Sequence, residues 1–339
     1  MFGPLIEKLV RREDLSADEA AGVMRHAMSG EAPPAALAGF LVALAMKGER
    51  PAEIVGLARV MREHAVRLAA PPGDVFDTCG TGGDRSGTFN ISSTAALVVA
   101  AAGVRVAKHG NRSVSSRCGS ADVFEALGVA VGAPPAVVEA TLHAANIAFF
   151  FAPTFHPSMK HAAQARRDLG VRTAFNLLGP LSNPAGARRQ IVGVPRPEHT
   201  ELLARSLQML GTDRAWVVHG ADGIDEISAS GHTKVSECRD GIVHTFYLHP
   251  SDVGLPRTPP EALRGGDAAQ NARLVKGVLE GDAGARRNVV LLNAGAALFV
   301  AGAVESVREG IAVAARAIDS GAALATLERM AAASHGAQG

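Results

Sequence analysis

One stretch of the chain carries more potential chemistry than any other: Asp77-Thr78-Cys79-Gly80-Thr81-Gly82-Gly83-Asp84-Arg85-Ser86-Gly87-Thr88-Phe89-Asn90-Ile91-Ser92-Ser93-Thr94. A short strand-like run enters it and an Ala/Val-rich run leaves it, so a strand, a glycine-rich loop and a helix follow one another. In that order free backbone N–H groups and the positive end of a helix meet an anion, and phosphate is the anion that suits them. The loop is not the dinucleotide fingerprint, because Gly80-x-Gly82 would need glycine where Arg85 stands, and no Gly-Lys-Ser/Thr follows to make a P-loop. Glycine-rich turns also serve simply to tighten a strand-to-helix connection, and the spacing alone leaves that plainer use open.

A second polar segment runs from Lys108-His109-Gly110-Asn111-Arg112 to Cys118-Gly119-Ser120-Ala121-Asp122, again directly after a strand-like run. Loops after successive parallel strands lie at one edge of the sheet, where open α/β proteins bind ligands. Between Gly80 and Ser120 the cations Arg85, Arg105, Lys108, Arg112 and Arg117 face Asp84 alone, in a chain whose net charge is +1. That local excess predicts a small polyanionic ligand. Singly, each of these residues has a blander use: a loop Lys or Arg is usually a solvated charge, His109 an ordinary loop histidine, and a Ser or Thr in a first helical turn a cap. A third segment, His219-Gly220-Ala221-Asp222-Gly223-Ile224-Asp225-Glu226-Ile227-Ser228, supplies adjacent carboxylates after a further strand. Adjacent acids are common on surfaces, but beside an anion pocket Asp225 and Glu226 suit Mg²⁺, a hard cation that takes oxygen ligands and bridges to phosphates.

These segments must be positioned by the elements around them. The first 70 residues read as helices: Ser16 and Glu19 form a capping-box pattern ahead of a helix ending near Ser29-Gly30, Pro34 opens a second that stops at Gly48, and Pro51 opens a third. After Pro71-Pro72-Gly73 the character changes. Val75 to Asp77, Val104 to Ala107, Ile147 to Phe151, Gln190 to Val194 and Ala215 to His219 read as strands with helices between them, which predicts βαβ units and a mostly parallel sheet. Thr233 to Cys238 and Val243 to Leu248 read as a further strand pair, Pro250 to Pro260 as a surface loop, and about Asn271 to Met330 as closing helices. The expected fold class is therefore α/β, a small N-terminal helical domain plus a larger α/β domain with a mostly parallel central sheet flanked by helices.

Composition narrows the function classes. A balance of 34 Lys+Arg against 33 Asp+Glu gives no global basic field for nonspecific nucleic-acid binding, and 12 Phe, one Trp and one Tyr in the whole chain leave few stacking platforms for single strands. Cys79, Cys118 and Cys238 form no C-x-x-C pair, so neither a zinc site nor a disulfide framework is indicated. The charged N-terminus lacks the apolar core of a signal peptide and no apolar run reaches the roughly 18 residues of a membrane span, so a cytoplasmic location is expected, with neither membrane nor nucleic acid as partner.

Together the segments resemble the anthranilate phosphoribosyltransferase family of the nucleoside phosphorylase and phosphoribosyltransferase class III fold. Its pattern Asp-x-x-Gly-Thr-Gly-Gly-Asp with Thr-Phe-Asn-Ile-Ser stands at Asp77 to Ser92, and Lys-His-Gly-Asn-Arg with Ser-Ser-x-x-Gly-Ser-Ala-Asp at Lys108 to Asp122. Arg-x-x-Leu-Gly followed by Arg-Thr-x-Phe-Asn-Leu-Leu-Gly-Pro-Leu-x-Asn-Pro stands at Arg166 to Pro184, and Asp-Glu-Ile-Ser at Asp225 to Ser228. The resemblance spans nearly the whole chain. It implies a helical domain over 1–70, joined by a helical segment near 157–185, and a catalytic α/β domain over 71–339.

The resemblance also implies residue roles. Gly80, Gly83, Asp84, Thr88, Asn90, Ile91, Ser92, Ser93, Lys108, Asn111, Arg112, Ser113, Ser115, Ser116 and Ser120 would contact phosphoribosyl pyrophosphate. Gly80, His109, Asn111, His156, Arg166 and Pro180 would surround anthranilate, with Arg166 pairing with its carboxylate. Ser92, Asp225 and Glu226 would bind Mg²⁺. The implied reaction is transfer of ribose 5-phosphate to the anthranilate amine with inversion at the anomeric carbon, in tryptophan biosynthesis, by a homodimer joined through its helical domains. An aryl amine is neutral at pH 7, so the task is positioning and charge neutralisation, and the one candidate for a proton-accepting role is His109. Arg85 and Cys118 fall at variable positions, and Phe155 stands where relatives often have Tyr. A pyrimidine nucleoside phosphorylase of the same fold is the nearest alternative, but that group commonly carries Lys-x-Ser-Gly-Arg-Gly where this chain has Lys108-His109-Gly110-Asn111-Arg112.

Overall fold

The computed structural model describes residues 1–70, 73–113 and 117–336. Four helices open the chain: α1 (Phe2–Val10), α2 (Ala17–Ser29), α3 (Pro34–Lys47) and α4 (Pro51–Glu63). The boundaries follow from the caps. At α2 the Ser16 hydroxyl accepts the Glu19 N–H while the Glu19 carboxylate accepts the Ser16 N–H, and Gly30 closes the helix in the left-handed region. Prolines sit in the first turn of α3 and α4, where no N–H is missed. A buried carboxylate joins the turns. Glu53 accepts from the Leu15 N–H at 2.9 Å, the Arg50 N–H at 2.7 Å and the Lys47 ammonium.

The rest of the chain alternates strands and helices: β1 (Phe76–Gly80), α5 (Ile91–Ala101), β2 (Val106–Gly110), α6 (Ser120–Ala126), α7 (Pro135–Ala145), β3 (Ile147–Phe151), α8 (Ala152–Phe155), α9 (Ala163–Leu169), β4 (Arg189–Gly193), α10 (Glu198–Met209) and β5 (Arg214–Gly220). The antiparallel pair β6 (Thr233–Arg239) and β7 (Ile242–Leu248) follows, then α11 (Ala268–Leu279), α12 (Ala285–Ala301), α13 (Val307–Asp319) and α14 (Ala322–Ser334). The sheet order is β3-β2-β1-β4-β5-β6-β7, parallel through β5. From β1 the chain winds one way to β2 and β3, and from β4 the other way to β5. The crevice between β1 and β4 is thus a topological switch point, the place where such sheets bind ligands.

One face of the sheet packs on α5, α12 and the C-terminal helices; the other packs on α10, the 162–181 segment and the helical block. Two expectations need correction. The first two strands run later than their β-branched residues suggest, ending at Gly80 and Gly110, because Gly80 pairs with Gly193 and Gly110 with Phe151 in full parallel ladders. The Pro250 to Pro260 stretch is not a plain surface loop: it starts in a 3₁₀ turn over Pro250–Val253, buries Val253 and Thr258, and donates the Thr258 N–H to the Ala229 carbonyl at 2.8 Å.

Candidate active site

A cavity of about 590 Å³ opens over the carboxyl ends of β1, β2 and β3, roofed by the 152–180 segment. Its lining includes each candidate site residue within the described chain; Ser115 and Ser116 lie outside the described residues. The glycine loop forms one wall. Gly82 and Gly83 adopt positive φ, and a Cβ on Gly83 would strike the Arg172 guanidinium, so backbone and cation meet where a side chain would separate them. The Thr81 hydroxyl in this wall is buried with no hydrogen-bond partner. Behind it α5 begins at Ile91, its first turn pointing Ser92 and Ser93 at the cavity.

Lys108 ends in the floor. Only 2% exposed, its ammonium donates to the Thr78 carbonyl, while Asp77 lies beneath it. Burial raises the Asp77 carboxyl to about 6, against the opposing pull of Lys108. Asp77 is a structural node: it accepts from the His109 N–H at 3.1 Å and from the Asn183 amide at 2.8 Å, and that amide also donates to the Ala107 carbonyl. Asp77 and Asn183 thus fasten β1 and β2 to the turn that carries Gly179 and Pro180.

The acidic wall is formed by Asp225 and Glu226. Asp225 accepts from the Gly82 N–H at 2.9 Å and Glu226 from the Ser92 N–H at 3.1 Å. Burial first, then the neighbouring carboxylates, pushes Asp225 up to about 7 and Glu226 to about 8. Two confined carboxylates held by backbone amides are an oxygen-only donor set that a hard divalent cation would stabilise. Among the described residues no three His, Cys, Asp or Glu side chains are arranged as a metal cage. Mg²⁺ fits that arrangement, since it keeps waters and shares its shell with phosphate oxygens.

Away from the acidic wall the lining is partly apolar, including Met61, Ala152, Pro153, Met159 and Phe175, and the Arg166 guanidinium lies 6.0 Å from the Phe175 ring centre. His109 and His156 sit here with ring centres 5.2 Å apart. Burial lowers His109 to about 3 and His156 to about 4, so both are neutral at pH 7. The His109 Nδ1–H donates to the Gly179 carbonyl at 3.1 Å, which leaves its Nε2 a buried acceptor without a partner.

The charge count along the sequence misplaced the cations. Of the five expected around the anion, only Lys108 and Arg112 line the cavity, and Arg112 is engaged by Asp122 at 2.9 Å and Glu125 at 2.8 Å. Arg85, Arg105 and Arg117 are not part of the lining. Lys160 and Arg172 were missed; both come from the roof. Arg172 donates to the Thr81 carbonyl at 3.0 Å; it opens the Arg-Thr-x-Phe-Asn-Leu-Leu-Gly-Pro pattern, and that motif is the signal that could have marked it.

Residues 72–324 match the glycosyl transferase family α/β domain, and residues 3–65 match the helical bundle domain of the same family. Anthranilate phosphoribosyltransferase of Symbiobacterium thermophilum is 55% identical over 326 residues, 96% of each chain, and that of Moorella thermoacetica is 53% identical over 330 residues, 97% of each. The crystal structure of the Thermus thermophilus enzyme superposes with a TM-score of 0.90 at 46% identity, covering 98% of this chain and 99% of that one. The Saccharomyces cerevisiae enzyme, solved in complex with PRPP and Mg, superposes at 0.87 with 27% identity and 98% coverage of each chain.

Proposed function

We infer how the cavity works from one premise: the chain belongs to the anthranilate phosphoribosyltransferase family. It is a glycosyltransferase that moves the 5-phosphoribosyl group from phosphoribosyl pyrophosphate to the amine of anthranilate, with Mg²⁺ as cofactor, in tryptophan biosynthesis. The residue roles are our own reading. The observation that carries them is the joining, in one cavity, of a glycine cradle with Lys108, an oxygen-only acidic wall, and a partly apolar end holding Arg166.

In this reading Gly80, Gly83, Asp84, Thr88, Asn90, Ile91, Ser92, Ser93, Lys108, Asn111, Arg112, Ser113 and Ser120 form the phosphoribosyl pyrophosphate side, with Arg172 added from the roof. Asp225, Glu226 and the Ser92 hydroxyl hold Mg²⁺, which when bound neutralises the leaving pyrophosphate. Asn111 and Arg166 hold anthranilate, with Gly80, His109, His156 and Pro180 around it. Arg166 suits the carboxylate as a fork of donors in a partly dry setting. The free Nε2 of His109 accepts an N–H of the amine and so aims the nitrogen lone pair at the anomeric carbon. A histidine held neutral down to about pH 3 is a weak base, so positioning, not proton abstraction, is its part.

The division into a helical domain (1–70 with the segment near 157–185) and a catalytic domain (71–339) belongs to the same proposal. It is supported by the separate matches of residues 3–65 and 72–324 to a helical bundle and an α/β domain, and by Ala162, Ala165, Phe175 and Leu178 packing with α1–α4 in a core that runs on into β4, β5 and α10. So does the homodimer. α3 is apolar around its circumference and leaves Met46 exposed, as α1, which packs against it, leaves Val10, and a second copy of the chain would cover these side chains. A cytoplasmic location is supported by three free cysteines. The test is direct: with phosphoribosyl pyrophosphate and Mg²⁺, the fluorescence of anthranilate decays as product forms, and a folded sample without turnover overturns the reading.

A further inference from the structure

Asp225 and Glu226 lie on a loop between β5 and β6, so something outside the cavity must fix them. Asn293, in the middle of α12 and only 5% exposed, lies behind the loop. Its Oδ1 accepts the Ile227 N–H at 3.0 Å, and its Nδ2 donates to the Ile227 carbonyl at 3.0 Å and to the Val289 carbonyl at 2.9 Å. One side chain therefore closes both backbone groups of the residue that directly follows Glu226, as a neighbouring strand would. The donors and acceptors fix the amide orientation, since the flipped amide would set N–H against N–H and oxygen against oxygen.

The helix that presents Asn293 is firmly seated. At its carboxyl end Arg189 donates to the Ala301 carbonyl at 2.6 Å and Arg214 to the Phe299 carbonyl at 2.9 Å. Midway, Gly295 meets Gly310 of α13 with no room for a Cβ on either. Between Asn293 and the acidic pair lies a void of about 10 Å³, bounded also by Thr78, Ser92 and Gly193, with space for about one water.

We propose that Asn293 is a positioning residue for the metal-binding loop: it ties Ile227 to α12 and thereby sets where Asp225 and Glu226 stand against the glycine cradle. This rests on the reading that the two carboxylates hold Mg²⁺. Outer groups that orient metal ligands typically change metal affinity by roughly 10- to 100-fold when removed. Asn293→Ala leaves the Ile227 N–H and carbonyl unpaired in a buried place, which favours a relaxed loop.

The test uses the full-length enzyme and three readouts. In the wild type the Ile227 amide should exchange with deuterium as slowly as core amides. In Asn293→Ala it should exchange at least ten-fold faster, while the amides of β1 remain protected. Mn²⁺ affinity, read by electron paramagnetic resonance without turnover, and the Mg²⁺ concentration for half-maximal rate should each weaken by roughly 10-fold or more, with the KM for anthranilate within two-fold. Asn293→Asp, which keeps the acceptor but sets an oxygen against two carbonyls, should not restore them. A merely structural role would lower the melting temperature and leave the Mn²⁺ affinity alone, and that result overturns the proposal. If the alanine variant fails to fold, rapid exchange of the wild-type Ile227 amide overturns it equally. A wild type inert towards anthranilate sinks the assigned reaction instead, and leaves the exchange and Mn²⁺ arms to decide the role of Asn293.

Discussion

Gly193 lies so close to Asp225 that a Cβ on it would come within 1.6 Å of the Asp225 carbonyl oxygen. Gly193 ends β4 at the switch point, paired with Gly80 on one side and Val218 on the other, so neither strand can give way without breaking a parallel ladder. Gly193→Ala should therefore move the acidic loop. Displacement of a catalytic group by about 1 Å typically costs on the order of 100-fold in rate, and overpacking a tight site costs about 1–3 kcal/mol. Steady-state kinetics with denaturant unfolding checks both, and a variant with wild-type kcat/KM would show that the loop does not need this contact.

Burial pushes both Asp225 and Glu226 towards their protonated forms in the metal-free protein, and charge repulsion adds to it, from Asp84 on Asp225 and from Asp225 on Glu226. Replacing both, as Asp225→Asn with Glu226→Gln, removes that repulsion at nearly constant shape. The double variant should lose Mg²⁺-dependent turnover while melting, in chelator, no lower than the wild type. Retained activity would take the carboxylates out of the reaction; a large fall in melting temperature would make them part of the scaffold.

What the sequence made legible was the part governed by local rules. Capping at Ser16 and Glu19, the proline starts at Pro34 and Pro51, and the alternation of strands with helices all appear in the structure where they were expected. The contiguous motifs at Gly80–Ser93, Lys108–Ser113 and Asp225-Glu226 converge on one cavity. What was hidden depends on the chain returning to a place. Arg172 reaches Thr81 from 91 residues away and Asn293 reaches Ile227 from 66 away, and neither spacing has a period to read. The charge count failed for the same reason, since Arg112 looked free until Asp122 and Glu125 folded back onto it.

Arg166 and Arg172 come from one short segment yet face different halves of the cavity. Arg166 lies by Phe175 in the partly apolar end; Arg172 donates to Thr81 in the glycine loop. A charged hydrogen bond contributes about 1.5–3 kcal/mol, or roughly 10- to 150-fold in affinity. Arg166→Ala should raise the KM for anthranilate by that order and move the KM for phosphoribosyl pyrophosphate by less than about three-fold. Arg172→Ala should do the reverse. If both variants shift the same KM, the two halves of the cavity have been assigned wrongly.

His109 and His156 give the protein an acid limit. Their ordinary value is 6.5, and burial lowers them to about 3 and about 4 in the folded state. Below pH 6.5 the unfolded chain therefore takes up protons that the folded chain refuses. The stability that depends on neutral imidazoles is complete above 6.5 and is lost progressively as pH falls towards 4 and then 3. Each unmatched proton contributes a slope of about 1.4 kcal/mol per pH unit. Urea unfolding between pH 6.5 and 4.5 should show a decline steeper in the wild type than in His156→Gln by roughly one such proton. Parallel slopes would mean that His156 is already protonated in the folded enzyme, and the neutral His109–His156 pair would have to be abandoned.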